Sequence, residues 1–157
     1  MRRLLLTGLL VAVVLTPAGS AGSARRVEAG AGMSIVLPAG WRLVQQSITD
    51  CSDPAQRLLA TTARGKLRTG FRVPARAGLV LLMEGTSGRF PARPARFHLP
   101  SLGAMGGCCE IPKGRGAELT LRDHGRRFYA FVYVGSRSHA RGDVLSLLNS
   151  LLVSGRR

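Results

Sequence analysis

The chain has 157 residues, with 23 lysines and arginines against 8 aspartates and glutamates, a net charge of +15. Its hydrophobic content of 45% excludes a chain too polar to fold, and its length is that of one domain. The few acidic residues are scattered, which excludes the closely paired carboxylates of an acid–base hydrolase.

The first segment reads as an address. Arg2-Arg3 precede an apolar run over 4–15, and Pro17 leads into the small residues of 18–24. A basic start, a short apolar centre and a small-residue tail make a secretory signal peptide. The apolar run falls short of the about 20 residues that span a bilayer, so a membrane anchor is expected only if this segment is retained. Cleavage fits after Ala21 or Ala24. Taking Ala24 gives a signal peptide over 1–24, a flexible Gly/Ala-rich leader over 25–32 and a folded domain over 33–154. Removing Arg2 and Arg3 from the 23 basic residues leaves 21 against 8 acidic ones, or +13. Lys66 and Lys113 are the only lysines. An arginine-rich, lysine-poor chain can simply reflect genome composition. The same charge would also recruit an anionic partner. Outside the cytoplasm such a partner is an envelope polymer, an anionic surface or another exported protein, rather than nucleic acid.

Residues 33–37 predict a first strand, 38–40 a turn, and 41–48 a second strand opened by Trp41. The turn formers of 49–54 follow, then a strand over 57–62. Over 64–73 the basic residues fall on even positions and Leu67, Phe71 and Val73 on odd ones. In an extended chain alternate residues take opposite faces, so this segment predicts a half-buried ribbon with one basic face. Arg64, Lys66, Arg68, Arg72 and Arg76 are the candidate anion-binding residues, with Arg89, Arg93 and Arg96 as possible additions. Residues 79–83 are apolar on both faces and suit a central strand. Glycine and proline crowd 85–116, which predicts a long irregular excursion pinned at Cys108 or Cys109. A strand is expected over 117–122, a hairpin turn over 123–126, and a strand with two apolar faces over 127–134. Val144, Leu147, Leu148 and Leu151 recur at helical spacing, widened by Leu145 and Leu152, with Asp143 at the helix start. The expected fold class is α+β: a mostly antiparallel sheet with a C-terminal amphipathic helix packed on one face.

No nucleophile elbow, zinc-binding helix, phosphate loop or dinucleotide fingerprint occurs. No catalytic residue, cofactor or metal site is assigned. His98, His124 and His139 fall in loops or turns, and adjacent cysteines are poorly spaced to share one ion with them. The alternative to a binding module is an envelope enzyme using a reactive thiol at Cys108/Cys109. Arg141-Gly142-Asp143 matches an integrin-binding tripeptide, but Asp143 already has a place at the helix start.

The segments 125–135 and 144–153, with the opening Ile35-Val36-Leu37-Pro38-Ala39-Gly40-Trp41, resemble the ends of small exported bacterial α+β domains of unassigned function. The architecture loosely resembles PsbP/Mog1-like sandwiches. The resemblance implies no catalytic residues.

Cys51, Cys108 and Cys109 are the only cysteines. In an oxidising compartment a disulfide is the expected state. A bond from Cys51 to Cys108 or Cys109 closes a loop of about 57 residues and contributes roughly 4 kcal/mol in the chain-entropy model. The odd thiol and a vicinal Cys108–Cys109 bond are the other arrangements. Peptide mapping without reductant is expected to find the Cys51 peptide joined to the 108/109 peptide and released by reduction. Cys51 recovered only as a free thiol would overturn the staple.

Overall fold

In the computed structural model, residues 24–106 and 111–155 are described. The strands are β1 (Arg25–Gly30), β2 (Met33–Leu37), β3 (Arg42–Leu43), β4 (Ala55–Thr61), β5 (Gly78–Gly85), β6 (Gly103–Met105), β7 (Gly114–Asp123), β8 (Arg126–Val134) and β9 (Leu152–Val153). Among the described residues a single helix, α1 (Arg141–Ser150), precedes β9. The strands form a six-stranded sheet in the order β3-β4-β5-β8-β7-β6 and a three-stranded sheet in the order β1-β2-β9. Every strand pair is antiparallel. The architecture is thus mostly antiparallel sheet with one short helix near the C-terminal end, as the hydrophobic pattern predicts.

The two central strands explain the layering. In β5, Val80 and Leu82 point to one face and Leu79, Leu81 and Met83 to the other. In β8, Phe128, Ala130 and Val132 join the first face, and Phe131 and Tyr133 the second. Both faces are apolar, so both need cover. On the first, Val144, Leu147 and Leu148 of α1 pack with Met33 and Ile35 of β2. On the second, irregular chain supplies Ile48, Ala63, Leu67, Val73 and Ile111. Trp41, 7% exposed, seals one end of the first core and donates its indole N–H to Asp143 Oδ2 at 3.1 Å. That bond and the Arg141 bond to the Leu99 carbonyl place the Arg141-Gly142-Asp143 tripeptide in a structural role at the start of α1.

Several boundaries differ from the sequence reading. The 25–32 leader is not irregular: 25–30 is β1, joined to β2 by a turn in which Gly30, Ala31 and Gly32 all have positive φ. An edge strand needs few strong strand formers, because Val27 and Ala29 meet the core while its other residues face out. The second strand shrinks to Arg42–Leu43, and the chain beyond it bends so that Ile48 reaches the opposite core. The ribbon over 64–73 is not a strand. Gly65 and Gly70 take positive φ, Phe71 N–H closes a turn onto Arg68, and Ala77 N–H closes one onto Pro74. The long excursion contains β6 and the first three residues of β7. Gly116 belongs to that strand because a Cβ there would collide with the Val132 carbonyl oxygen and press on the Tyr133 ring. Leu152 does not extend the helical stripe. It lies in β9 with 56% of its surface exposed. The hairpin expected over 123–126 is present, with Asp123 opposite Arg126 and both turn residues, His124 and Gly125, at positive φ.

One buried charge cluster ties these layers together. Arg126 of β8 grips Glu84 of β5 with two bonds, Nε to Oε1 at 3.0 Å and Nη2 to Oε2 at 2.9 Å. Its Nη1 donates to the carbonyl of Ala31 in the β1–β2 turn at 2.7 Å and to that of Ser154 after β9 at 3.4 Å. Arg57, the extra residue of a bulge in β4, reaches the same carboxylate at 2.8 Å. Arg126 and Glu84 are both almost fully buried. Removing Arg126 strips the buried Glu84 carboxylate of its two-bond partner although Arg57 stays on it, whereas replacing both members of a buried pair can be nearly neutral. Arg126→Met is expected to lower stability by about 3 kcal/mol, read from denaturant melts. Arg126→Met combined with Glu84→Leu should recover much of the loss, and equal losses in the single and double variants would show that the pairing is unimportant.

Candidate functional site

The five basic residues singled out by the sequence alternation are all exposed, although their segment is not a strand. The alternation survives because the segment lies across the second core. Leu67 and Val73 are buried there, Phe71 is partly buried, and the basic side chains between them face solvent. None of the five takes part in an ion pair among the described residues. The described ion pairs of arginine use Arg57, Arg93 and Arg126 instead.

Of the five, Arg72 alone borders the main cleft, an open hollow of about 770 Å³. Its other cations, Lys113 and Arg115, were not expected from the sequence because both fall in the stretch read as irregular. Local pairing brings the three together. The chain at Arg72 lies parallel to that at Lys113, with Val73 N–H donating to the Lys113 carbonyl at 2.9 Å and Lys113 N–H to the Phe71 carbonyl at 2.8 Å. Gly114 faces Val73 and the Tyr133 ring, so its neighbours Lys113 and Arg115 project from the opposite side. Val73 points into the second core, which turns Arg72 toward that same side. The remaining border combines apolar groups (Leu102, Ala104 and Met105 of the β6 region, and Ala75) with the backbone of Gly103 and Gly135. No aspartate or glutamate borders the cleft among the described residues. Arg137 is exposed beside it, its N–H held by the Ala75 carbonyl at 2.7 Å.

Arg93, Arg89 and Arg96 divide. Arg93 is committed to structure: it pairs with Asp123 at 2.9 Å, lies over the Phe97 ring at 5.6 Å, and reaches the Leu148 and Asn149 carbonyls late in α1. A cation suits that helix end. Arg89 and Arg96 are exposed.

Among the described residues, no group of three or more His, Cys, Asp or Glu side chains could hold a metal ion. His98, His124 and His139 are exposed and separate. Cys51 is half-buried against the second core. Cys108 and Cys109, and with them the reactive-thiol alternative, lie outside the described residues, as does the signal segment up to residue 23. No described helix is long and apolar enough to cross a membrane. No family model matches the chain, and neither a curated protein nor a solved structure matches it.

Behind the cleft, Tyr133 is fully buried and its hydroxyl has no hydrogen-bond partner among the described residues. Burial, assisted by the Glu118 charge, pushes its pKa well above the ordinary value of 10. The native state therefore keeps this proton at alkaline pH while the unfolded chain releases it, so stability is retained below pH 10 and lost as pH rises above it. Tyr133→Phe removes a buried hydroxyl without a partner and should stabilise the fold by about 1 kcal/mol. In thermal melts it should also weaken the stability loss above pH 10. An unchanged alkaline limb would show that another group controls it.

Proposed function

We propose that the protein is an exported, non-catalytic binding module that holds an anionic polymer of the cell envelope on its basic surface, centred on the Arg72–Lys113–Arg115 cleft. The observation that carries this reading is the convergence of three cations on a hollow bordered by no described carboxylate. Arg57, Arg93 and Arg126 each have a carboxylate partner, whereas the cations around the cleft have none described. A cationic concavity of this kind concentrates field and attracts polyanions.

Export through a cleaved 1–24 segment, the α+β class and the likeness to small exported bacterial domains belong to the same reading. So does a disulfide from Cys51 to Cys108 or Cys109. Supporting that pairing, Ile111, just beyond the two cysteines, is buried in the core against which Cys51 packs.

The test is chromatography on immobilised dextran sulfate with charge-matched variants. The unaltered protein should be retained at low salt and released as salt rises, because exposed charges are screened. Arg72→Ala/Lys113→Ala/Arg115→Ala should elute earlier than Arg89→Ala/Arg96→Ala/Arg122→Ala, which loses the same charge elsewhere. Equal elution of the two triple variants would reduce the basic surface to composition. Failure of dextran sulfate to retain the protein, with retention on an acidic protein matrix, would favour a protein partner.

A further inference from the structure

The cleft has two chemistries, and a bare polyanion uses only one of them. Arg72, Lys113 and Arg115 supply positive charge, while Leu102 and Ala104 supply apolar surface at the end of the six-stranded sheet. Ala104 lies opposite Arg115 in the β6–β7 pairing, Leu102 is half-buried against the first core, and Met105 turns to the second core. A volume of about 770 Å³ suits a ligand with a body as well as a head. An inorganic anion would pair with the cations and leave the apolar surface wet. A neutral apolar molecule would cover that surface and leave three cations without a described counter-charge.

From this complementarity we infer that the cleft binds an anionic amphiphile, a carboxylate or phosphate head joined to an acyl or aryl body, with the head at Arg72, Lys113 and Arg115 and the body along Leu102 and Ala104. The sign of the ligand rests on the basic-surface reading above. The requirement for an apolar body is new. The mechanism is additive: the cations fix the head, and the apolar surface adds affinity with each methylene it covers. Gly103 contributes by leaving backbone, not a side chain, at the border.

Isothermal titration of the full-length protein with acetate, hexanoate and decanoate reads the two contributions separately. Decyl phosphate, with the same body, tests the head. Dextran sulfate on the same samples reports the polyanion surface. Acetate should bind too weakly to detect, and affinity should rise by roughly threefold per methylene from hexanoate to decanoate as the apolar surface is covered. Lys113→Ala/Arg115→Ala should weaken decanoate by about tenfold or more, while Arg89→Ala/Arg96→Ala leaves it unchanged. Leu102→Asn should lower the chain-length dependence yet leave dextran sulfate retention intact. A cooperative thermal melt for each variant shows that it is folded. Binding that does not depend on chain length overturns the amphiphile, as does decanoate binding that ignores Lys113 and Arg115. If dextran sulfate retention still depends on the cleft cations in those cases, the anionic-polymer reading stands without it. If neither probe binds, both readings fall.

Discussion

The Glu84–Arg126 pair is the constraint on which the arrangement of the two sheets depends. Glu84 and Arg126 come from neighbouring strands of the larger sheet, yet Arg126 spends its third nitrogen on the carbonyls of Ala31 and Ser154, which flank the smaller one. A guanidinium presents its donors in a rigid plane, so satisfying all of them fixes where the β1–β2 turn and the end of β9 must sit. A buried ion pair is not by itself a source of stability, because removing both charges from water costs about as much as their attraction returns. Its consequence here is positional. The apolar residues of β2 and α1 could slide over the sheet at little cost, but the Arg126 bonds tolerate only one registration. Gly32 reflects the same crowding, since a Cβ there would run into the Ser154 hydroxyl.

Each face of the large sheet is covered by a different kind of chain, and this decides where charge can go. The helix face is closed by regular elements, and the arginines near it, Arg93 and Arg126, point inward to carboxylates and carbonyls. The other face is closed by chain without repeating hydrogen bonds, whose buried residues alternate with exposed ones. Between those buried residues such a cover leaves side chains in solvent. In this protein those side chains are Arg64, Lys66 and Arg68, followed by Arg72 and Arg76, and the segment has no acidic residue to offset them.

Periodicity made the long elements legible, and single residues hid the rest. The runs 79–83 and 127–134 announce central strands because both faces are apolar, and the Val144–Leu147–Leu148–Leu151 spacing announces the helix. β1 was missed because an edge strand can be built from arginine, alanine and glycine when only Val27 and Ala29 meet the core. The start of β7 was missed because Gly114 and Gly116 read as loop formers, whereas the Tyr133 ring and the Val132 carbonyl leave no room for a side chain. That one misreading concealed the site, for Lys113 and Arg115 flank the first of those glycines. The alternation over 64–76 correctly marked which residues face solvent, but not that Arg72 alone would border a hollow. Nothing local in Glu84 or Arg126 signals a partner 42 residues away.

The cleft follows from the same packing, not from a separate device. Tyr133 needs space on the second face, and glycines in β7 provide it. With no side chains at those positions, β6 and the Arg72–Ala75 segment stand on either side of bare backbone, and a hollow remains between them. Side chains next to those glycines must project away from the second core, and in this chain they are Lys113 and Arg115. Composition explains why so many exposed residues are arginine. It does not explain why the described carboxylates with recorded partners, Asp53, Glu84, Asp123 and Asp143, are engaged elsewhere in the fold. Glu84, Asp123 and Asp143 serve the geometry of the fold, and the described border of the cleft is left with cations and apolar groups.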